Sequence, residues 1–495
     1  MDKKLIFDIN DKPKFGQLLV FALQQVLAIL AATIAVPTII GLPTEIPAAI
    51  LGAGVGTLVY QFFTKFKSPV FLGSSFAFLS SLGVAVAYGY CGIVLGSVVA
   101  GLVYVIIAAI IHFTGTAWVD KLMPPVIIGP TVALIGLSLA GSAMGDLVKA
   151  NSSQLYASDN LISLLCGLVA FFVIVICSTQ KRVKMARLIP FIIGIGAGYA
   201  VAAIFTFIGM ATDTDYLMII NFQPVIDNFV AADGSFRGLA AFIDYPHFAL
   251  MESVKELISG ELAPEILAAN PNAVLLTLGG VAEIVIAFLP VALVVFAEHI
   301  ADHKNLSSII DRDLIKDPGL ERTLLGDGVG SIMGTVLGVC PNTTYGESVG
   351  CVAITRNASV VTITATAIMC IVLSFISPVM AILQTIPSCV MGGVCLTLYG
   401  FIAVSGLKMF KHLDLDNNKN LFVVASILIS GIGGLTIKIP YAIAENGEIT
   451  NVIQITSIAT ALIIGIVTNA VLTKVEKSKL GVDTEEKTEN KETEE

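Results

Sequence analysis

The chain has 495 residues, of which 56% are hydrophobic and only 13% charged, with a formal net charge of −9. Soluble domains carry about 25% charged residues, so this balance excludes a soluble globular protein. Repeated apolar runs approach the roughly 20 residues needed to cross a bilayer, which makes the chain a polytopic membrane protein embedded in lipid.

Residues 1–15 are polar and lysine-rich. The first apolar run lacks a small-residue cleavage site and reads as a span. Apolar spans are expected near 16–40, 46–63, 69–87, 90–113, 123–142, 160–178 and 188–209. A mostly polar connection, 210–273, follows. It is longer than a plain loop and contains a possible amphipathic helix around Glu252–Ile258. Further spans are expected near 277–303, 322–338, 343–355, 358–384, 387–405, 420–438 and 451–472. The tail after Lys474 is charged, nearly free of apolar residues, and expected to be disordered.

The pattern is seven plus seven. An odd number of spans per half turns the halves in opposite directions, which is the geometry of an inverted repeat. The cations agree with this threading. With both termini cytoplasmic, all but Lys149, Arg237, Lys255 and Lys438 of the 28 Lys and Arg fall on the inner side, as the positive-inside rule requires. The eight cysteines mostly sit in or beside apolar runs without a C-x-x-C pair, so they read as small buried hydrophobes.

Two stretches break their spans. Ser68-Pro-Val-Phe-Leu-Gly-Ser-Ser-Phe-Ala-Phe78 and Cys340-Pro-Asn-Thr-Thr-Tyr-Gly-Glu-Ser-Val-Gly350 each run from Pro through a few extended residues and Gly into a resumed apolar helix. Irregular backbone at membrane depth is tolerated only where protein buries it or it lines a cavity. Paired interruptions in corresponding halves point to a transporter binding site. Each half-helix would aim free N–H groups and a positive dipole end into that cavity. Glu347 lies in the second stretch, and an ionisable residue at this depth is a functional-site hypothesis.

Phe296-Ala-Glu-His-Ile-Ala-Asp-His-Lys304 is the third candidate. Glu298 and Asp302 are four apart and share a helical face, with His299 and His303 on the next stripe. Titratable groups at the end of an apolar run suggest a proton site. Asp302 would lie about 6 Å beyond Glu298 by helical rise. The competing reading puts Asp302, His303 and Lys304 in cytoplasmic water. The H-E-x-x-H order of a zinc site is absent, so neither metal nor cofactor is expected. Asp327 suits an interior position or a helix cap equally, and Gln24 and Gln25 should face protein.

These residues resemble the nucleobase–cation symporter 2 family, also called nucleobase–ascorbate transporters, and within it the bacterial uracil permease branch. The resemblance rests on Leu23-Gln-Gln-Val-Leu-Ala28, Ala35-Val-Pro37, Gly73 to Phe78, Ala297-Glu-His299, Asp317-Pro-Gly-Leu320, Asn342 to Glu347, Ala353-Ile-Thr-Arg356 and Pro387 to Gly393. It implies an all-α fold of fourteen segments in a core domain (16–142 and 274–384) and a gate domain (143–209 and 385–472), commonly as a homodimer. It implies proton-coupled nucleobase uptake at the cell membrane and no enzymatic activity. By position, Glu298 and Glu347 would grip the base, with Ser75, Phe76, Tyr345 and Gly346 beside it. Glu298, His299, Asp302, Glu347 and Gln25 are the candidates for proton coupling. Gln25 stands where a histidine is frequent, Asp302 where uracil permeases often carry one, and Ser348 where asparagine is common.

Uracil offers two ring N–H donors and two carbonyl acceptors, which suits a carboxylate pair facing half-helix N–H groups. Alternatives are another pyrimidine or a purine, Na⁺ in place of H⁺, or an anion exchanger of similar architecture. The two acids argue against the exchanger, and no nucleic-acid partner is expected.

Overall fold

The structure, a computed structural model, describes residues 5–149, 160–180, 186–187, 189–231, 233–443 and 449–492. It is mostly helical. The first half runs α1 Phe15–Ile39, α2 Ile46–Phe63, β1 Leu72–Ser74, α3 Leu79–Val86, α4 Gly89–Thr114, α5 Pro125–Val148, α6 Leu161–Thr179 and α7 Pro190–Thr212. Local chemistry sets several starts. Proline opens α5 and α7, where its missing N–H costs nothing. The Asn160 side chain caps α6 by accepting from the backbone N–H groups of Ile162 and Ser163.

The connection carries short helical turns and one longer helix, α8 Ala249–Ser259. The second half runs α9 Leu278–Ile310, α10 Leu320–Leu337, β2 Asn342–Thr344, α11 Gly346–Thr355, α12 Val360–Ser374, α13 Ser377–Gln384, α14 Ser388–Lys408, α15 Asn418–Ile432, β3 Ile437–Ile443, β4 Ile449–Ile455 and α16 Ser457–Glu492. Among the described residues, nine helices are long and apolar enough to cross a membrane. The rest of the expected spans fall on shorter or broken helices.

Counterparts in the two halves pack on each other. α2 lies against α10, α5 against α14, and β1 against β2. The strands are antiparallel, with Gly73 opposite Thr343. Oppositely directed repeats related by a two-fold axis in the membrane plane give this arrangement. Small residues let the helices meet. A Cβ at Gly52 would stand 2.2 Å from the Gly334 carbonyl oxygen, and one at Gly56 would stand 2.8 Å from that of Gly330. Close approach of this kind replaces the hydrophobic drive that lipid removes.

The helices form two groups. α1 to α4 pack with α9 to α12, while α5, α6, α7, α14, α15 and α16 pack together. α5 therefore sits with the second group by packing, although its residues to 142 were expected with the first.

Three expectations differ from the structure. The span expected over 358–384 is two helices. Ile376 departs from helical geometry and bridges to Ile243 of the connection, and Pro378 then sits in the first turn of the new helix, where its missing N–H costs nothing. Residues 437–443 and 449–455, expected as the ends of two spans and parts of the connection between them, form the antiparallel pair β3–β4. The alternation of isoleucines at 437, 439, 453 and 455 carries that signal. Finally, α16 continues past Lys474 to Glu492 through the stretch expected to be disordered; Glu and Lys are good helix formers.

Candidate functional site

The two broken spans cross at the β1–β2 pair. The Ser75 N–H donates to the Pro341 carbonyl at 3.1 Å, and the Tyr345 N–H donates to the Phe71 carbonyl at 3.1 Å. Side chains from neighbouring helices hold the crossing. Asn342 Nδ2 donates to the Gly52 carbonyl at 2.8 Å, and Thr57 Oγ1 accepts from the Leu72 N–H at 2.9 Å. The Tyr345 hydroxyl donates to the Ser74 carbonyl at 2.9 Å. Its ring covers Gly73, where a Cβ would stand 2.2 Å from it. Tyr345 therefore braces the crossing.

From this crossing the half-helices depart. A 3₁₀ turn, Phe76–Phe78, leads into α3, and Gly346 opens α11 with Glu347 in its first turn. Gly346 is exposed, and the nearest atom to a Cβ there would be Asp302 Oδ1 at 3.8 Å. α9 supplies Glu298 and Asp302. Glu298 Oε2 and Glu347 Oε1 are buried, and neither has a hydrogen-bond partner among the described residues. The buried Ser74 and Ser75 hydroxyls likewise have none. Buried polar atoms are normally satisfied, so this cluster of open acceptors and hydroxyls marks a place for a polar ligand.

Asp302 is 6% exposed, and its Oδ2 accepts from Thr344 Oγ1 at 2.9 Å. It is a buried acid beside the strand pair, so the cytoplasmic-water reading fails for it. Among the described residues, no Lys or Arg pairs with Glu298, Asp302 or Glu347. Gln25 Nε2 donates to Ser348 Oγ at 2.5 Å, so α1 grips α11 next to Glu347. Phe76 meets Tyr399 of α14 edge to face at 5.2 Å, which joins the two helix groups beside the acids.

The histidines face away from Asp302. His299 Nδ1 lies 2.7 Å from Asp327 Oδ2, and its Nε2 lies 3.0 Å from Thr323 Oγ1. Thr343 Oγ1 also donates to Asp327 Oδ2, at 3.4 Å. His303 Nδ1 lies 2.8 Å from the His299 carbonyl, an obligate acceptor, so Nδ1 carries hydrogen. His303 Nε2 lies 2.8 Å from the Tyr60 hydroxyl, which is 2.8 Å from Ser68 Oγ. His299, His303, Asp327, Tyr60 and Ser68 are all fully buried. Sequence reasoning left Asp327 open and missed Tyr60, Thr343 and Thr344. The acid between Gly326 and Gly328 was the available signal, since small neighbours let a helix face pack on protein.

Among the described residues, no cluster of His, Cys, Asp and Glu suits a metal ion. All eight cysteines are free and buried. Two cavities, of about 430 and 350 Å³, are lined largely by residues of the connection, and neither is lined by Glu298 or Glu347.

Residues 16–440 match the family described as Permease family, Xan_ur_permease. The chain belongs to this family of permeases. It is 35% identical to the uracil permease of Bacillus caldolyticus over 95% of each chain. It is 35% identical to that of Bacillus subtilis strain 168 over 95% of this chain and 96% of the relative. It is 32% identical to that of Escherichia coli K12 over 90% and 92%. Among solved structures, the transmembrane domain of the cyanobacterial bicarbonate transporter BicA matches with TM-score 0.50 and 12% identity, covering 94% of this chain and all of that one. The murine Slc26a9 anion transporter matches with TM-score 0.57 and 10% identity, covering 94% and 69%. At these identities the structural matches speak for the fold alone. The family match and the apolar helices make the permease a multi-pass membrane protein.

Proposed function

We propose that this permease carries uracil into the cell together with a proton, by alternating access of the group holding Glu298 and Glu347 against the group holding Tyr399. The observation that carries this reading is the pair of buried, unpartnered carboxylate oxygens on Glu298 and Glu347. Each acceptor suits one ring N–H of the base. The first-turn N–H groups of α11 have no partners within their own helix and suit its carbonyls. The uracil permease relatives support the choice of base. A site matched this way strands its own polar atoms when an analogue lacks one group, so it discriminates strongly.

Three carboxyl groups, those of Glu298, Asp302 and Glu347, share the region, and no Lys or Arg among the described residues pairs with them. A proton is therefore the natural counter-charge, with Asp302 as its carrier and Gln25 and His299 as supports of the surrounding helices. Cytoplasmic termini, supported by the bias of Lys and Arg in the sequence, and a homodimer as the working unit are part of the same proposal. Binding to purified protein tests the base. Uracil should bind, while cytosine, xanthine and uric acid should bind at least about 100-fold more weakly, the loss expected when a designed hydrogen bond is missing. Tighter binding of a purine would replace uracil as substrate.

A further inference from the structure

α8 is amphipathic in the opposite sense to most helices on a protein surface. Ala249, Ser253 and Glu256 form its buried stripe. Leu250, Met251, Val254, Leu257 and Ile258 fill a continuous apolar arc at helical spacing, and each is between 45% and 82% exposed. The buried stripe is committed to protein, while Lys255 on the polar flank stays exposed. Glu256 Oε2 accepts from the Cys91 N–H at 3.2 Å, at the positive N-terminal end of α4. The Ala249 N–H donates to the Gly338 carbonyl just beyond α10, at 3.2 Å. Two residues before α8, His247 Nδ1 lies 3.0 Å from Glu45 Oε1, which also accepts from the Tyr90 hydroxyl at 2.8 Å.

These anchors fix the height of α8. Glu45 precedes α2, Tyr90 and Cys91 begin α4, and Gly338 follows α10, so all four mark the outer ends of spans. α4 and α10 are the helices α8 rests on. The far side of α4 carries the exposed stripe Leu102, Ile106, Ile110 and Phe113, which is lipid-facing in a membrane helix. The chain leading into α9 adds Val274, Leu275 and Leu278, all exposed, and Val274 is tied to the end of α3 through Ala87. The apolar arc of α8 thus continues the lipid-facing surface at its outer edge.

We propose that α8 is an interfacial helix whose apolar arc is seated in the outer leaflet, at the boundary between headgroups and acyl chains. Helices with one strongly apolar face lie in this plane with that face buried about 5–10 Å below the headgroups. Interfacial helices usually add cationic attraction to anionic lipid, but α8 has only Lys255, which is already paired with Glu252 at 2.6 Å. The seating therefore rests on apolar area and on the tethers above, and no preference for anionic lipid follows.

Spin labels on single-cysteine substitutions test this in nanodiscs of phosphatidylcholine, alone or mixed with phosphatidylglycerol. Leu257→Cys and Ile258→Cys report the apolar arc, and Lys255→Cys reports the polar side. Labels on the arc should be more accessible to oxygen than to a water-soluble nickel chelate by several-fold. The Lys255→Cys label should show the reverse, and both lipid compositions should agree. Arc labels open to the chelate would overturn the proposal. So would short distances between arc labels on two copies, since the face would then belong to a second subunit. These readings need no transport, so they stand apart from the assignment of substrate and proton.

Discussion

Thr344 Oγ1 donates to Asp302 Oδ2 at 2.9 Å, so the strand that launches the second half-helix also holds the acid one turn beyond Glu298. Its neighbour on the strand, Thr343, reaches Asp327. Adjacent residues of a strand point to opposite faces, and here each face presents a threonine to a buried aspartate. Movement of the half-helix on substrate binding would be felt at both.

Asp302→Asn should leave uracil affinity within a few-fold of wild type while flattening the pH dependence of uptake. The amide keeps the size and an acceptor for Thr344 but cannot exchange a proton at this pH. Thr344→Val should act in the same direction more weakly, lowering uptake by about 5–10-fold, as loss of one hydrogen bond of about 1 kcal/mol implies. Initial rates across external pH, with binding measured separately, check both.

Glu298→Gln should abolish detectable binding. The amide can rotate, but only one of its two ends accepts, and a donor facing a ring N–H leaves both unsatisfied. The expected loss is at least about 100-fold, from roughly 3 kcal/mol for a hydrogen bond to a charged group. Isothermal titration with uracil decides it, and near-normal affinity would remove Glu298 from the site.

Gly73→Ala should yield little folded protein. Its Cβ would stand 2.2 Å from the Tyr345 ring, which is itself fixed to the Ser74 carbonyl. Overpacking of this kind costs about 1–3 kcal/mol. The paired change Gly73→Ala with Tyr345→Leu should recover part of the lost thermal stability, as read by the melting temperature in detergent.

The attachment of the connection should weaken in alkali. His247 has its protonation raised to about 8, first by its hydrogen bond to Glu45 and opposed by burial. Glu252 and Glu265 add to the pull, while Lys255 is taken up by Glu252 and Arg237 by Asp244. A raised histidine contributes stability that is full below its ordinary value near 6.5 and lost as pH climbs through about 8. Proteolysis of the 242–263 region should therefore accelerate between pH 7 and 9 in wild type, and His247→Gln should remove that step.

Much of the architecture was legible because membrane burial writes long apolar runs, and inverted repeats force matching breaks. Pro69 and Pro341, each followed by a glycine and hydroxyl residues, marked the crossing strands. The acids of α9 and α11 were legible because a carboxylate at membrane depth is costly. The partners of Asp302, His299 and His303 were not. Thr344, Asp327 and Tyr60 meet α9 only through long-range packing, and threonine and tyrosine are unremarkable in an apolar helix. The β3–β4 pair was hidden because its alternating isoleucines adjoin spans of similar hydropathy. The apolar arc of α8 was visible as periodicity, but its outward direction depends on where Glu256 lands.

Uracil accumulation in sealed vesicles with an imposed pH gradient tests the central claim most directly. With acid outside and Na⁺ absent, wild-type vesicles should concentrate uracil above equilibrium, an uncoupler should collapse the gradient of uracil, and Asp302→Asn vesicles should only equilibrate. Accumulation that follows a Na⁺ gradient at equal pH, or Asp302→Asn vesicles that concentrate uracil as wild type does, would contradict proton coupling through this site.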